Sequence, residues 1–152
     1  MPIDLSQSLV IGIASSALFD LTESDAVFQR EGVTAYETYQ EKRQHDPLEP
    51  GAAFPFIQRL LRLNDLQQGL VEVIVMSRNS PTSGLRVMES ISHHELDMTR
   101  AVFRRGLDAT DFMPVFNMSL FLSANRRDVE NAIAAGQPAG QVLPTNKSLA
   151  ES

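Results

Sequence analysis

The chain has no cysteine. Disulfides, thiolate metal sites and a cysteine nucleophile are therefore excluded, and a reducing cytoplasm suits the composition. Clustered positive charge is also lacking. Lys and Arg number 13 against 19 Asp and Glu, the net charge is −6, and the basic clusters are only pairs, Arg104-Arg105 and Arg126-Arg127. Nucleic acid and anionic membranes demand many cations on one face, so neither is an expected partner. No long apolar run is present: the longest near the N-terminus, Leu9 to Ala14, falls far short of the ~20 residues a bilayer-spanning helix requires. A glycine-rich phosphate loop and an elbow-mounted Ser/His/Asp arrangement are missing too. The three histidines, His45, His93 and His94, make a poor metal set. Neighbours on a helix diverge by about 100°, and all three are expected to be solvated helix residues.

At 152 residues, with 43% hydrophobic and 21% charged content, the chain has the size and composition of one folded domain. Its organising stretch is Val71 to Met76, a β-branched, nearly continuous apolar run of the kind buried on both faces of a parallel sheet. Ser77-Arg78-Asn79 follow, then Ser80 and Pro81, suited to the cap and first position of a helix. A second buried strand, Leu9 to Ala14, ends in Ser15-Ser16, and a third, Met118 to Leu122, ends in Ser123-Ala124-Asn125.

Between the first two strands, Thr22 with Asp25 marks a helix ending near Gly32, and Thr34 with Glu37 has the capping-box spacing for a helix through His45. Asp20 is read as a solvent-facing or capping residue. The Pro-rich joint 46–51 closes this insertion. Ala52 to Leu63 is then a core helix with Phe56, Ile57, Leu60, Leu61 and Leu63 as its apolar face, and Pro81 to Ser92 a helix with Leu85, Met88 and Ile91 on one side. Ala101 to Phe103 reads as a strand, Ala109 to Asn117 as a short helix, Asn125 with Asp128 as the capped start of a last helix stopping at Gly136, and Gly140 to Leu143 as a final strand. Alternating strands and helices give an α/β class with a parallel sheet: a domain over residues 1–143, with a helical insertion at about 21–50 and a loose tail over 144–152.

A doubly wound sheet gathers the ends of neighbouring strands into one crevice beside helix N-termini, where anions bind. Ser15, Ser16, Ser77, Arg78 and Asn79 are the candidate phosphate-binding residues. None of the three strand ends carries an aspartate or glutamate to act as nucleophile, metal ligand or general base. The crevice is therefore expected to favour a phosphate dianion without metal.

Several blocks resemble the cytosolic 5′-nucleotidases of type I and their bacterial relatives, which have the haloacid dehalogenase-like fold. They are Ile13 to Phe19, Glu31-Gly32-Val33, Tyr39-Gln40, Pro50 to Phe56, Ser77-Arg78-Asn79, Gly84 to Val87 and Leu122 to Asn125. Family members look like two related halves, and this chain is similar to the first. The resemblance implies a three-layer Rossmann-like sheet and Mg²⁺-dependent hydrolysis of nucleoside monophosphates. In the second half of the family, an Asp-x-Asp motif ending the first strand supplies the nucleophile and the acid/base. Ala14 and Ser16 stand at the matching positions here. The family's later acidic pair falls on Ser123-Ala124, its lysine region around Pro114-Val115 has no lysine, and its phosphate-gripping hydroxyl falls at Met76 or Ser77.

The resemblance thus implies a chain with no catalytic or metal-binding residues of its own and no cofactor when alone. Its expected partners are a nucleoside monophosphate or phosphate, held weakly, and a catalytic second half or another copy of itself. Two alternatives remain: a phosphohydrolase using a different acidic group, and a stand-alone module for a small phosphorylated metabolite.

Overall fold

A computed structural model describes residues 8–78, 83–98, 100–104 and 110–143. Five strands, β1 (Leu9–Ala14), β2 (Val71–Ser77), β3 (Arg100–Phe103), β4 (Leu120–Ser123) and β5 (Ala139–Gln141), form one sheet in the order β3-β2-β1-β4-β5. Every pairing is parallel, with Ala14 beside Met76 and Ile13 beside Leu122. Strand order reverses at β1, so the carboxyl ends of β1, β2 and β4 flank the switch point expected of a ligand crevice.

Both faces of the sheet are covered, and the side-chain alternation of β1 and β2 divides the core. Ile11, Ile13, Val71, Val73 and Val75 point to one layer and pack with Ile57 and Leu61 of α4 (Phe54–Leu61) and Val87 and Ile91 of α5 (Leu85–His93). Val10, Ala14, Ile74 and Met76 point to the other, against Met113, Met118 and Ala132 of α6 (Arg126–Ala134). Gly12 leaves this second face open for Met118, whose Sδ fills the space a Cβ would need.

The chain leaves β1 through a single turn, α1 (Ser15–Leu18), into the insertion helices α2 (Thr22–Glu31) and α3 (Val33–Lys42). A narrow neck returns it. Asp20 N donates to Glu49 O (2.8 Å), Gly51 N to Leu18 O (2.8 Å) and Ala53 N to Ala17 O (3.0 Å), and Phe19 bridges Pro50. The two insertion helices bury few side chains, Ser24 and Val27 from α2 and Gln40 from α3. Arg86 of α5 ties it down instead, donating from Nη1 to Gln40 Oε1 (3.0 Å) and Ser24 Oγ (3.4 Å) and from Nε to Asp46 O (2.9 Å).

Local patterns misplaced several details. Thr34 and Glu37 form no capping box, because α3 begins at Val33 after Gly32, whose φ of 90° supplies the turn. Asp20 agrees with its sequence reading: it is exposed and, one residue before the Leu21 N-cap position of α2, accepts from Thr22 N (3.0 Å) and Thr22 Oγ1 (2.6 Å). The buried face of α4 is Phe54, Ile57 and Leu61, leaving Phe56 and Leu63 largely exposed. On α5, Val87 and Ile91 are buried while Leu85 faces out. The short helix around 109–117 is a 3₁₀ turn over Thr110–Phe112, and the last strand lies at Ala139–Gln141. His94 is not a solvated residue: its Nε2 lies 2.8 Å from Leu48 O and its ring packs against both Phe19 and Phe54. Ser80, Pro81, Ala109 and the tail over 144–152 lie outside the described residues.

Candidate functional site

Each strand end hands its serine to a different task. Ser15 opens α1 and Ser77 closes β2; both are buried, and their hydroxyls meet at 3.1 Å. Ser16, one residue on, is half-exposed. Ser123 is fully buried, and its Oγ accepts from Asn125 N (3.0 Å). The serine ends therefore share one end of the sheet, as the sequence predicts, and the Ser15 and Ser77 hydroxyls touch. Asn125 then caps α6, its side chain accepting from Arg127 N (2.9 Å) and Asp128 N (3.4 Å).

Above these strand ends lies a crevice of about 950 Å³, at the large end of the range that holds small molecules. Its floor is Ala14, Ser15, Ser16, Met76, Ser77 and Arg78 from the β1 and β2 ends, with Ala124 and Asn125 from the end of β4. Its opposite wall is the insertion, which contributes Phe28, Val33, Tyr36 and Glu37 among others. Phe28 and Tyr36 meet edge to face with ring centroids 5.9 Å apart. Ser15, Ser16, Ser77 and Arg78 are thus brought together as the sequence predicts; Asn79 lies outside the described residues.

Two electrostatic features correct the sequence reading. Arg78 is engaged by a carboxylate: its Nη2 contacts Asp128 Oδ1, which also accepts from Nε at 3.1 Å. The crevice is also not devoid of acid, since Asp25, Glu37 and Asp128 all line it. A surplus of dianion-favouring potential therefore does not follow. Partial burial, reinforced by the negative charge of Asp20, pushes the Asp25 carboxyl above the usual carboxylate range. Asp25 was legible only as a first-turn helix residue, and Asp128 as a partner of the Asn125 cap. The local pattern carries no signal that either reaches the strand ends.

The resemblance to the 5′-nucleotidases implies a carboxylate-held Mg²⁺. The donor set here does not fit one. The end of β1 offers Ala14, Ser15 and Ser16, the acids come singly from α2, α3 and α6, and Asp128 is already bound to Arg78. Among the described residues no group of three or more His, Asp or Glu side chains is arranged to hold a metal.

A family model described as 5′-nucleotidase matches residues 1–152. The chain belongs to the 5′-nucleotidase family. It is 27% identical to human cytosolic 5′-nucleotidase 1B, an alignment covering 94% of this chain and 25% of the human protein. The chain thus spans about a quarter of that relative's length. Among solved structures it is similar to the HAD domain of the effector protein Lem4 from Legionella pneumophila, with a TM-score of 0.51 and 11% identity over 95% of this chain and 92% of that one. That likeness carries the fold, an α/β domain of the haloacid dehalogenase-like type built on a parallel sheet. Within this 5′-nucleotidase family member, no helix among the described residues is long and apolar enough to cross a membrane.

Proposed function

We propose that this chain is the non-catalytic, ligand-holding half of a cytoplasmic 5′-nucleotidase, acting beside a catalytic half or a second copy of itself. The observation that carries this reading is the end of β1, where Ala14-Ser15-Ser16 offer hydroxyls at the switch point and no carboxylate. A phosphoryl-accepting nucleophile and metal-held charge neutralisation both need carboxylates there, and without them the site binds a ground state without lowering the barrier. The ligand is a nucleoside monophosphate, with phosphate toward Ser15, Ser16, Ser77 and Arg78 and the base toward the Phe28–Tyr36 pair. Affinity is expected on the order of millimolar, because a helix N-terminus and a partly exposed arginine each contribute only about a kcal/mol.

One observation favours a second reading, a phosphohydrolase with an unconventional acid. Asp25 lines the crevice and holds its proton more tightly than an ordinary aspartate, a property suited to a general acid. Incubating the chain with Mg²⁺ and nucleoside monophosphates separates the two. Release of phosphate at background level is expected. Robust turnover that Asp25→Asn abolishes would overturn the non-catalytic reading and install Asp25 as the acid.

A further inference from the structure

Two electropositive features face the carboxyl end of the sheet, and the chain answers both with its own side chains. The α6 N-terminus has its Arg127 and Asp128 amides directed at Asn125 Oδ1. The Arg78 guanidinium, one residue beyond the Ser15–Ser77 hydroxyl pair, is held through Nη2 and Nε by Asp128 Oδ1. An arginine gripping one oxygen through two nitrogens binds a carboxylate as it would bind a phosphate. The Asp128 side chain is 12% exposed and that of Arg78 39% exposed, so the acid is the anchored partner and the arginine the reachable one. In the first turn of α6, moreover, a negative side chain is favoured by the helix dipole.

Resting on the reading of this crevice as a phosphate site, we propose that Asp128 is a built-in competitor for the ligand's phosphate, an autoinhibitory carboxylate that must be displaced from Arg78 before an anion binds. The device sets specificity as well as affinity. An anion that cannot grip Arg78 better than a single aspartate gains nothing, whereas a phosphomonoester dianion presents three oxygens and twice the charge. Removing Asp128 both releases the guanidinium and deletes a negative charge beside the incoming dianion.

The test is titration of inorganic phosphate and AMP into the whole chain with a chelator present, followed by backbone amide shifts of Ser77 and Arg78. Asp128→Ala is expected to bind phosphate about three- to tenfold more tightly than the parent, the range expected for a partly exposed ion pair plus relief of one like charge. Arg78→Ala in the Asp128→Ala background should erase that gain. Asp128→Asn keeps the volume and a hydrogen-bonding oxygen, guarding against a folding artefact, and should show a smaller gain in the same direction. If the parent binds phosphate and both Asp128 variants match it, the competitor is refuted while the phosphate site survives. Persistence of the gain without Arg78 refutes it equally. If neither the parent nor any variant moves those amides, the phosphate reading itself fails and the competitor falls with it.

Discussion

Replacing Arg86 by methionine should loosen the insertion from the sheet without disturbing the sheet itself. Arg86 is half-buried, and its guanidinium serves two acceptors that have almost no access to water, since Gln40 and Ser24 are each 1% exposed. Three donations are lost: to Gln40 Oε1 at 3.0 Å, to Ser24 Oγ at 3.4 Å and to Asp46 O at 2.9 Å. A hydrogen bond from a charged donor contributes about 1.5–3 kcal/mol. The long Ser24 contact and the shared network make the three less than additive, so about 2–4 kcal/mol in total is expected. Methionine retains much of the stem's volume, so little of this is cavity cost. Ser24 Oγ also stays 3.3 Å from Gln40 Oε1, which relieves Gln40 and places the result toward the lower end. For a chain of this length that energy corresponds to a fall in Tm of roughly 4–16 °C by calorimetry. Hydrogen exchange should locate the effect, with α2 and α3 amides exchanging faster than in the parent and β1 and β2 amides retaining their rank. A Tm within a degree of the parent, with unchanged exchange in α2 and α3, would show that Arg86 does not tether the insertion.

Gly51→Ala should cost about 1–3 kcal/mol in denaturant unfolding, because a Cβ there would lie 2.8 Å from Ala17 O and from the Phe19 carbonyl carbon and backbone cannot swing aside; an unchanged midpoint would disprove the tight neck. For Asp25, whose folded-state pKa is raised by burial and by Asp20, the folded state holds the proton more tightly than the unfolded chain, so ionised Asp25 opposes folding above its folded pKa. Asp25→Asn should therefore be more stable than the parent at pH 7, with the advantage shrinking on acidification and gone below about pH 3.9; an advantage that grew toward low pH would contradict the sign.

What the sequence reveals and what it hides divide along the range of the interaction that decides each feature. Val71 to Met76 announces a central strand because burial on both faces leaves no polar position to conceal, apart from Glu72 at its start. Asn125 announces its helix because a cap is settled within three residues, and the structure has it accepting from Arg127 N and Asp128 N. The outward turn of Leu85 and Phe56 is different in kind. Each satisfies helical spacing, yet which stripe of α4 or α5 meets the sheet is set by the layer beneath, and there Val87 and Phe54 win. The crevice charges are harder still: Arg78 and Asp128 stand 50 residues apart, joined only because strand order reverses at β1 and brings the β2 end toward α6.

That reversal makes the strand ends, taken alone, look more positive than the crevice is. A strand end is a local pattern, but its electrostatics belong to whatever the topology places opposite, and here α2, α3 and α6 place Asp25, Glu37 and Asp128 there. The hydroxyls of Ser15 and Ser77 meet at 3.1 Å on the crevice floor, and under the proposed function the surrounding carboxylates set a threshold that only a strongly charged ligand crosses. A crevice with no carboxylate at its strand ends and acids on its walls is not neutral ground. On the proposed reading it discriminates by making the ligand compete with Asp128 for Arg78.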